Sequence, residues 1–92
     1  MRITDIRFSS APPELERTGL CGWIALTLDG RIRVDGLTLR RTATGRLTLS
    51  FPARRDDAGR QHPYVRPLDD EARRDVEEQV LHALGFDGQQ RR

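Results

Sequence analysis

Ninety-two residues, 36% of them apolar, are enough for one small domain and not for two. No apolar run approaches the ~20 residues of a membrane-spanning helix, and a single cysteine, Cys21, excludes an internal disulfide framework and a cysteine zinc site. The net charge of +2 conceals a segregation: residues 31–66 carry nine arginines against Asp35, Asp56 and Asp57, whereas residues 69–84 carry six acids against Arg73 and Arg74.

The chain opens on a strand-like stretch, residues 2–8, whose alternation puts Thr4, Ile6 and Phe8 on one face and Ile3, Asp5 and Arg7 on the other. Residues 9–18, with Pro12-Pro13, read as a loop. The strongest strand signal is residues 20–28. Leu20, Gly22, Ile24, Leu26 and Leu28 share one face, and Cys21, Trp23, Ala25 and Thr27 the other, also largely apolar. A strand apolar on both faces is buried twice or meets a second subunit. Asp29-Gly30 then supplies the two positive-φ residues of a type I′ hairpin turn. The next strand alternates from Arg31 to Asp35, and after Gly36 the phase flips so that Leu37 and Leu39 face inward, the mark of a β-bulge.

Thr44-Gly45 turns the chain into a strand with Leu47, Leu49 and Phe51 inward, ended by Pro52. Residues 53–60 read as an exposed charged loop, and residues 61–65 as a short edge strand, because His62-Pro63 cannot sit centrally in a sheet. The last element is a helix over about residues 69–84. Ala72, Val76, Val80 and Leu84 form its apolar stripe with Leu81 beside it, and Asp69, Asp70 and Glu71 complement its positive end. Asp70–Arg74, Arg73–Glu77 and Arg74–Glu78 are spaced as surface ion pairs. Gly85, with Phe86 against Leu81, reads as a Schellman stop. The expected fold is α+β: an antiparallel sheet of four to five strands followed by one C-terminal helix, as a single domain over residues 1–86, with residues 87–92 a frayed tail.

Particular words recur along this order: Ile3-Thr4-Asp5-Ile6-Arg7, then Ile24-Ala25-Leu26-Thr27-Leu28-Asp29, then Phe51-Pro52-Ala53-Arg54-Arg55 followed by Asp57-Ala58-Gly59-Arg60, and His62-Pro63-Tyr64 with Pro67 before the helix. Over about residues 1–84 the chain resembles the stage V sporulation protein G (SpoVG) family, also called septation proteins. The resemblance implies a small bacterial protein with an antiparallel sheet, one main C-terminal helix, and a homodimer made by strand pairing between subunits. It also implies a regulator that binds DNA or RNA and acts in sporulation, septation and similar processes, with no catalytic residues. The family's basic loop maps onto Arg54 and Arg55. At the start of the helix, where the family tends to carry hydroxyl and basic side chains, this chain has Asp69, Asp70 and Glu71.

All 16 basic residues are arginine, always charged and able to bind phosphate bidentately. Arg31, Arg33, Arg40, Arg41, Arg46, Arg54, Arg55 and Arg66 are therefore the candidate nucleic-acid contacts. Leu20, Trp23, Ile24 and Leu26, on the doubly apolar strand, are the candidate dimer interface, which places Trp23 in a core or interface rather than on a base-stacking platform. The competing reading is a protein-interaction or septation module without nucleic-acid binding, presenting Asp75, Glu77 and Glu78 on its acidic helix to a basic partner. Ser50, His62 and Asp57 lie on no nucleophile elbow, and the two histidines have no metal-ligand spacing, so neither catalysis, a metal nor a cofactor is expected. The opening Met1-Arg2-Ile3-Thr4-Asp5 lacks the apolar core of a signal peptide, which with one cysteine favours a cytoplasmic protein.

Overall fold

A computed structural model describes residues 1–86; the tail expected over 87–92 lies outside the described residues. In chain order the elements are β1 (Ile3–Ser10), α1 (Pro13–Glu16), β2 (Leu20–Leu28), β3 (Ile32–Arg41), β4 (Leu47–Ser50), β5 (Ala53–Arg55), β6 (Gln61–Pro63) and α2 (Asp70–Ala83). The first four strands form an antiparallel sheet in the order β1-β2-β3-β4, and β5 pairs with β6 in a separate two-stranded sheet. The α+β class, the antiparallel sheet and the C-terminal helix agree with the sequence reading. The described residues form six strands, because residues 53–63 make a hairpin where a loop and an edge strand were expected.

Local chemistry explains the main turns. Asp29 (φ 50°) and Gly30 (φ 68°) both adopt positive φ, and the Arg31 amide closes the turn onto the Leu28 carbonyl at 2.9 Å. Arg31 therefore belongs to the turn rather than to β3. Gly36 (φ 81°) lies where the β2–β3 register slips between Ile24 and Leu26, so Val34 and Leu37 both point into the core. Gly22 is required for a different reason. A Cβ there would run into the Ser9 carbonyl oxygen and would lie 2.7 Å from the Phe8 ring.

Three inward–outward assignments differ from the simple alternation. In β1 the register slips between Thr4 and Arg7, and Asp5 takes φ 48°. The extra residue brings Ile3 and Ile6 to the same, inner face, where alternation had separated them. The register also slips between Leu20 and Gly22, and Cys21 packs against the core while Trp23 stands exposed. Ile32, at the hairpin end, is exposed. Residues 9–18 are not all loop: β1 extends to Ser10, and one helical turn starts at Pro13.

α2 covers one face of the four-stranded sheet. Its start is capped by Asp69, whose carboxylate accepts from the Ala72 amide at 2.8 Å. Its end is the expected Schellman motif, with Phe86 N–H to Leu81 C=O at 2.8 Å, Gly85 N–H to His82 C=O at 3.1 Å, and Gly85 at φ 82°. Val76, Val80 and Leu81 pack onto Ile24, Leu26, Leu37, Leu39, Leu47 and Leu49. Each such side chain contributes roughly 1.5–3 kcal/mol through burial.

The helix also ties both margins of the sheet. At β1, Gln79 Oε1 accepts from the Ile3 amide (3.1 Å) and Nε2 donates to the Met1 carbonyl (2.7 Å). At β4, Glu77 Oε2 accepts from the Leu49 amide (3.0 Å) while Arg73 Nη1 donates to the Leu49 carbonyl (3.0 Å). Two side chains thus stand in for a neighbouring strand and blunt an edge that would otherwise invite pairing. Arg73 and Glu77 are 3.5 Å apart, but Glu77 is only 6% exposed, so this is a buried bracket and not the surface pair expected. Asp70–Arg74 and Arg74–Glu78 form no ion pair.

Candidate nucleic-acid interface

The β5–β6 hairpin is a short ribbon. Its register pairs Ala53 with Pro63, Arg54 with His62 and Arg55 with Gln61. Its turn is organised by one carboxylate. Asp56 Oδ1 accepts from the Ala58 and Arg60 amides, both at 2.9 Å, and Oδ2 lies 2.7 Å from His62 Nε2. Backbone bonds from Asp56 N–H to Arg60 C=O and from Gly59 N–H to Asp56 C=O close the loop. Asp56 and Asp57 are both close enough in sequence to pair with Arg54 and Arg55, but Asp56 engages His62 and the turn instead, and Asp57 forms no ion pair among the described residues. Arg54 and Arg55 are exposed, and neither forms an ion pair among the described residues. Because side chains alternate along a strand, the two guanidinium groups leave opposite faces of the ribbon. Arg60 joins them from the turn, a position that its place in an apparent loop did not single out.

The His62 contact first, and then the Arg60 amide, hold the Asp56 carboxyl below its ordinary value of 3.8. A carboxyl more acidic in the folded turn than in the open chain stabilises that turn fully above pH 3.8. The contribution is lost as pH falls through the lower folded value. On acid titration followed by NMR, the Ala58 and Arg60 amides should lose exchange protection below pH 3.8, and Asp56→Asn should remove that low-pH step. Unchanged protection in the wild type down through that range would show that the carboxylate does not hold the turn.

The other candidate arginines are spread over the molecule. Arg31, in the turn before β3, and Arg40, near the far end of that strand, stand about 30 Å apart at 3.3 Å per residue. Arg33 lies on the face of the sheet away from α2, its Nη1 donating to the Asp5 carbonyl oxygen (2.7 Å), Asp5 Oδ2 (3.2 Å) and Thr27 Oγ1 (3.0 Å). Arg41 folds back onto the β3–β4 turn, donating to the Gly45 carbonyl at 3.2 Å, and Arg46 closes that turn through its amide to Thr42 Oγ1. Arg66 lines a cleft of about 420 Å³ between the ribbon and the start of α2, which also holds Arg73, Asp69 and Asp70. The structure brings Arg54 and Arg55 together with Arg60 and does not gather all eight candidates into one patch.

The candidate dimer residues are placed differently from the expectation. β2 has a strand on each side, so it has no free edge to pair. Ile24 and Leu26 are buried in the chain's own core under α2, Leu20 is buried outside that cluster, and of the four only Trp23, 39% exposed, is accessible. The acidic helix is depleted in a similar way. Glu77 is committed to Leu49, and Asp75 bonds Gln79 (3.0 Å) with the N-terminal ammonium 3.8 Å away.

A second cleft, about 690 Å³, opens between α1 and the far end of the sheet, with Phe8, Leu20, Cys21 and Phe86 among its lining. Among the described residues no three His, Cys, Asp or Glu side chains gather as a metal site, and no helix is long and apolar enough to cross a membrane. No protein-family model matches this sequence, and no curated protein is significantly similar to it.

Proposed function

We propose that this chain is a non-enzymatic regulator of the SpoVG type that binds DNA or RNA, with the β5–β6 ribbon as its principal phosphate contact. The observation that carries the reading is the charge state of that ribbon. Asp56 is consumed by His62 and the turn amides, and Asp57 beside it forms no ion pair among the described residues, which leaves Arg54 and Arg55 without an acidic partner on an exposed hairpin. A two-stranded ribbon fits the major groove of a DNA duplex, and guanidinium groups on both of its faces suit the phosphates that flank such a groove. The element order, an antiparallel sheet followed by a helix, is what the sequence resemblance implies for that family. A homodimer made by strand pairing would use the outer edge of β1 beyond Ile3, whose amide Gln79 holds, since β4 is bracketed by Arg73 and Glu77.

The test is a salt titration of the intact chain against a generic DNA duplex. Three contacts from Arg54, Arg55 and Arg60 predict a log–log slope of about −2.7, since each phosphate contact contributes about −0.9. Absence of binding at low salt to duplex, single-stranded DNA and RNA alike would overturn the proposal.

A further inference from the structure

Opposite α2 the four-stranded sheet presents a second face, and the single turn α1 packs against β2 at the Ser10–Leu20 end. Alternation and register place Arg7 and Ser9 of β1, Trp23, Ala25 and Thr27 of β2, Arg33, Thr38 and Arg40 of β3, and Thr48 and Ser50 of β4 on this face, and none of them is buried. Antiparallel sheets commonly leave one face to solvent, and hydroxyl side chains suit that role. Trp23 does not. The chain's only tryptophan sits on a central strand with Ser9 directly across on one side and Thr38 on the other.

Two guanidinium groups flank the indole diagonally. Arg7 lies two residues from Ser9 along β1, and Arg40 two residues from Thr38 along β3, separations of roughly 7–8 Å that long side chains bridge. The Arg40 guanidinium has no hydrogen-bond or ion-pair partner among the described residues. Arg7 is held by Asp5 at 2.9 Å in an exposed pair, 73% and 52% accessible on its two sides. Such pairs are weak and exchange readily for a phosphate. Asp35 is the other acid exposed along these strands, beside the Gly36 bulge.

We infer that this open face is a stacking platform for single-stranded nucleic acid, with a base on the Trp23 ring and phosphates on Arg40 and Arg7. A ring flanked by cations on an open sheet matches the chemistry of an unpaired strand, whose bases offer π-faces and whose backbone is anionic at every step. A duplex, with its bases stacked inside, offers nothing to the ring. The inference rests on the nucleic-acid reading above and adds a second surface to it, distinct from the ribbon.

Because Trp23 is the sole tryptophan, its fluorescence reports on this face alone. The intact chain is titrated with unlabelled dT12 and U12 and with a 12-base-pair duplex, and affinities are measured in parallel by competition. The expected result is indole quenching by the single strands and an affinity for them about 5- to 150-fold weaker in Trp23→Ala, the range for loss of one stacked base. Trp23→Phe should retain most of the affinity, and duplex binding should be unchanged in both variants. Arg40→Ala should lower the single-strand salt slope by about 0.7. Single-strand binding without quenching, at equal affinity in Trp23→Ala, would overturn the platform and leave the ribbon reading standing. Quenching that follows protein concentration and self-association, without oligonucleotide, would show a contact between copies and also overturn it. A chain that binds neither single strand nor duplex removes both proposals.

Discussion

Val76→Asp is expected to cost about 3–5 kcal/mol of folding stability. Val76 is 3% exposed and lies on the face of α2 that packs onto the sheet core. A carboxylate there would be set into a cluster of Leu, Ile and Val side chains. A domain of this length holds only about 5–14 kcal/mol in total at ~0.05–0.15 kcal/mol per residue, so the substitution removes a large share of the margin. For a domain this small each kcal/mol corresponds to about 4–8 °C, and thermal melting by circular dichroism should move down by well over ~10 °C. A melting curve unchanged by Val76→Asp would mean that the helix does not dock on this stripe.

Glu77→Ala is expected to destabilise by about 1–3 kcal/mol, the cost of leaving a buried donor unsatisfied. The donor is the Leu49 amide, whose only role in the bracket is to meet Glu77 Oε2 at 3.0 Å. The same truncation takes away the carboxylate beside Arg73, whose guanidinium also holds the Leu49 carbonyl and sits 5.9 Å from the Phe51 ring centroid. Glu77→Gln retains an acceptor oxygen at the same reach and should recover most of the loss. The difference between the two variants separates the hydrogen bond from the charge. Equal destabilisation by Ala and Gln would instead assign the effect to the ion pair. Opening the β4 edge has a second expected consequence, a rise in self-association of Glu77→Ala at high concentration, because an unblunted edge strand recruits other strands.

The parts of the fold that were legible in the sequence are those carried by local chemistry. Asp29-Gly30 has the residues that tolerate positive φ, Gly36 marks its own phase flip, and α2 carries a stripe, an acidic first turn and a Gly85-Phe86 stop. What escaped the sequence depends on neighbours distant along the chain. A bulge at Asp5 has no glycine to announce it, so Ile3 was assigned to the wrong face. Glu77 looked like a surface residue because its i−4 arginine invites that reading. Its burial follows from the position of Leu49, 28 residues away in sequence. Strands of three residues with two arginines and a proline carry no apolar alternation, so the β5–β6 ribbon read as a loop and an edge.

The candidate site was partly legible for the same reason. Arg54 and Arg55 were identified from their basic word after Pro52, but their separation onto opposite faces of a ribbon needed the pairing register. The fate of Asp56 was not readable either, since His62 lies across the hairpin from it and not beside it in sequence. Trp23 was assigned to a core or interface because both faces of its strand are apolar by composition. With α2 packing onto Ile24 and Leu26, the indole is left on the other face.

The central claim is that the ribbon arginines contact phosphate, and the most direct test pairs the wild type with Arg54→Ala/Arg55→Ala over a salt series on one generic duplex. Neither side chain is part of the core, so circular dichroism and melting should be unchanged. The predicted result is weaker binding, by a similar factor on unrelated sequences, and a log–log salt slope smaller in magnitude by roughly 1–2 units, about one per lost contact. Equal affinity and an equal slope in the double variant would contradict the account and take the ribbon out of the binding surface.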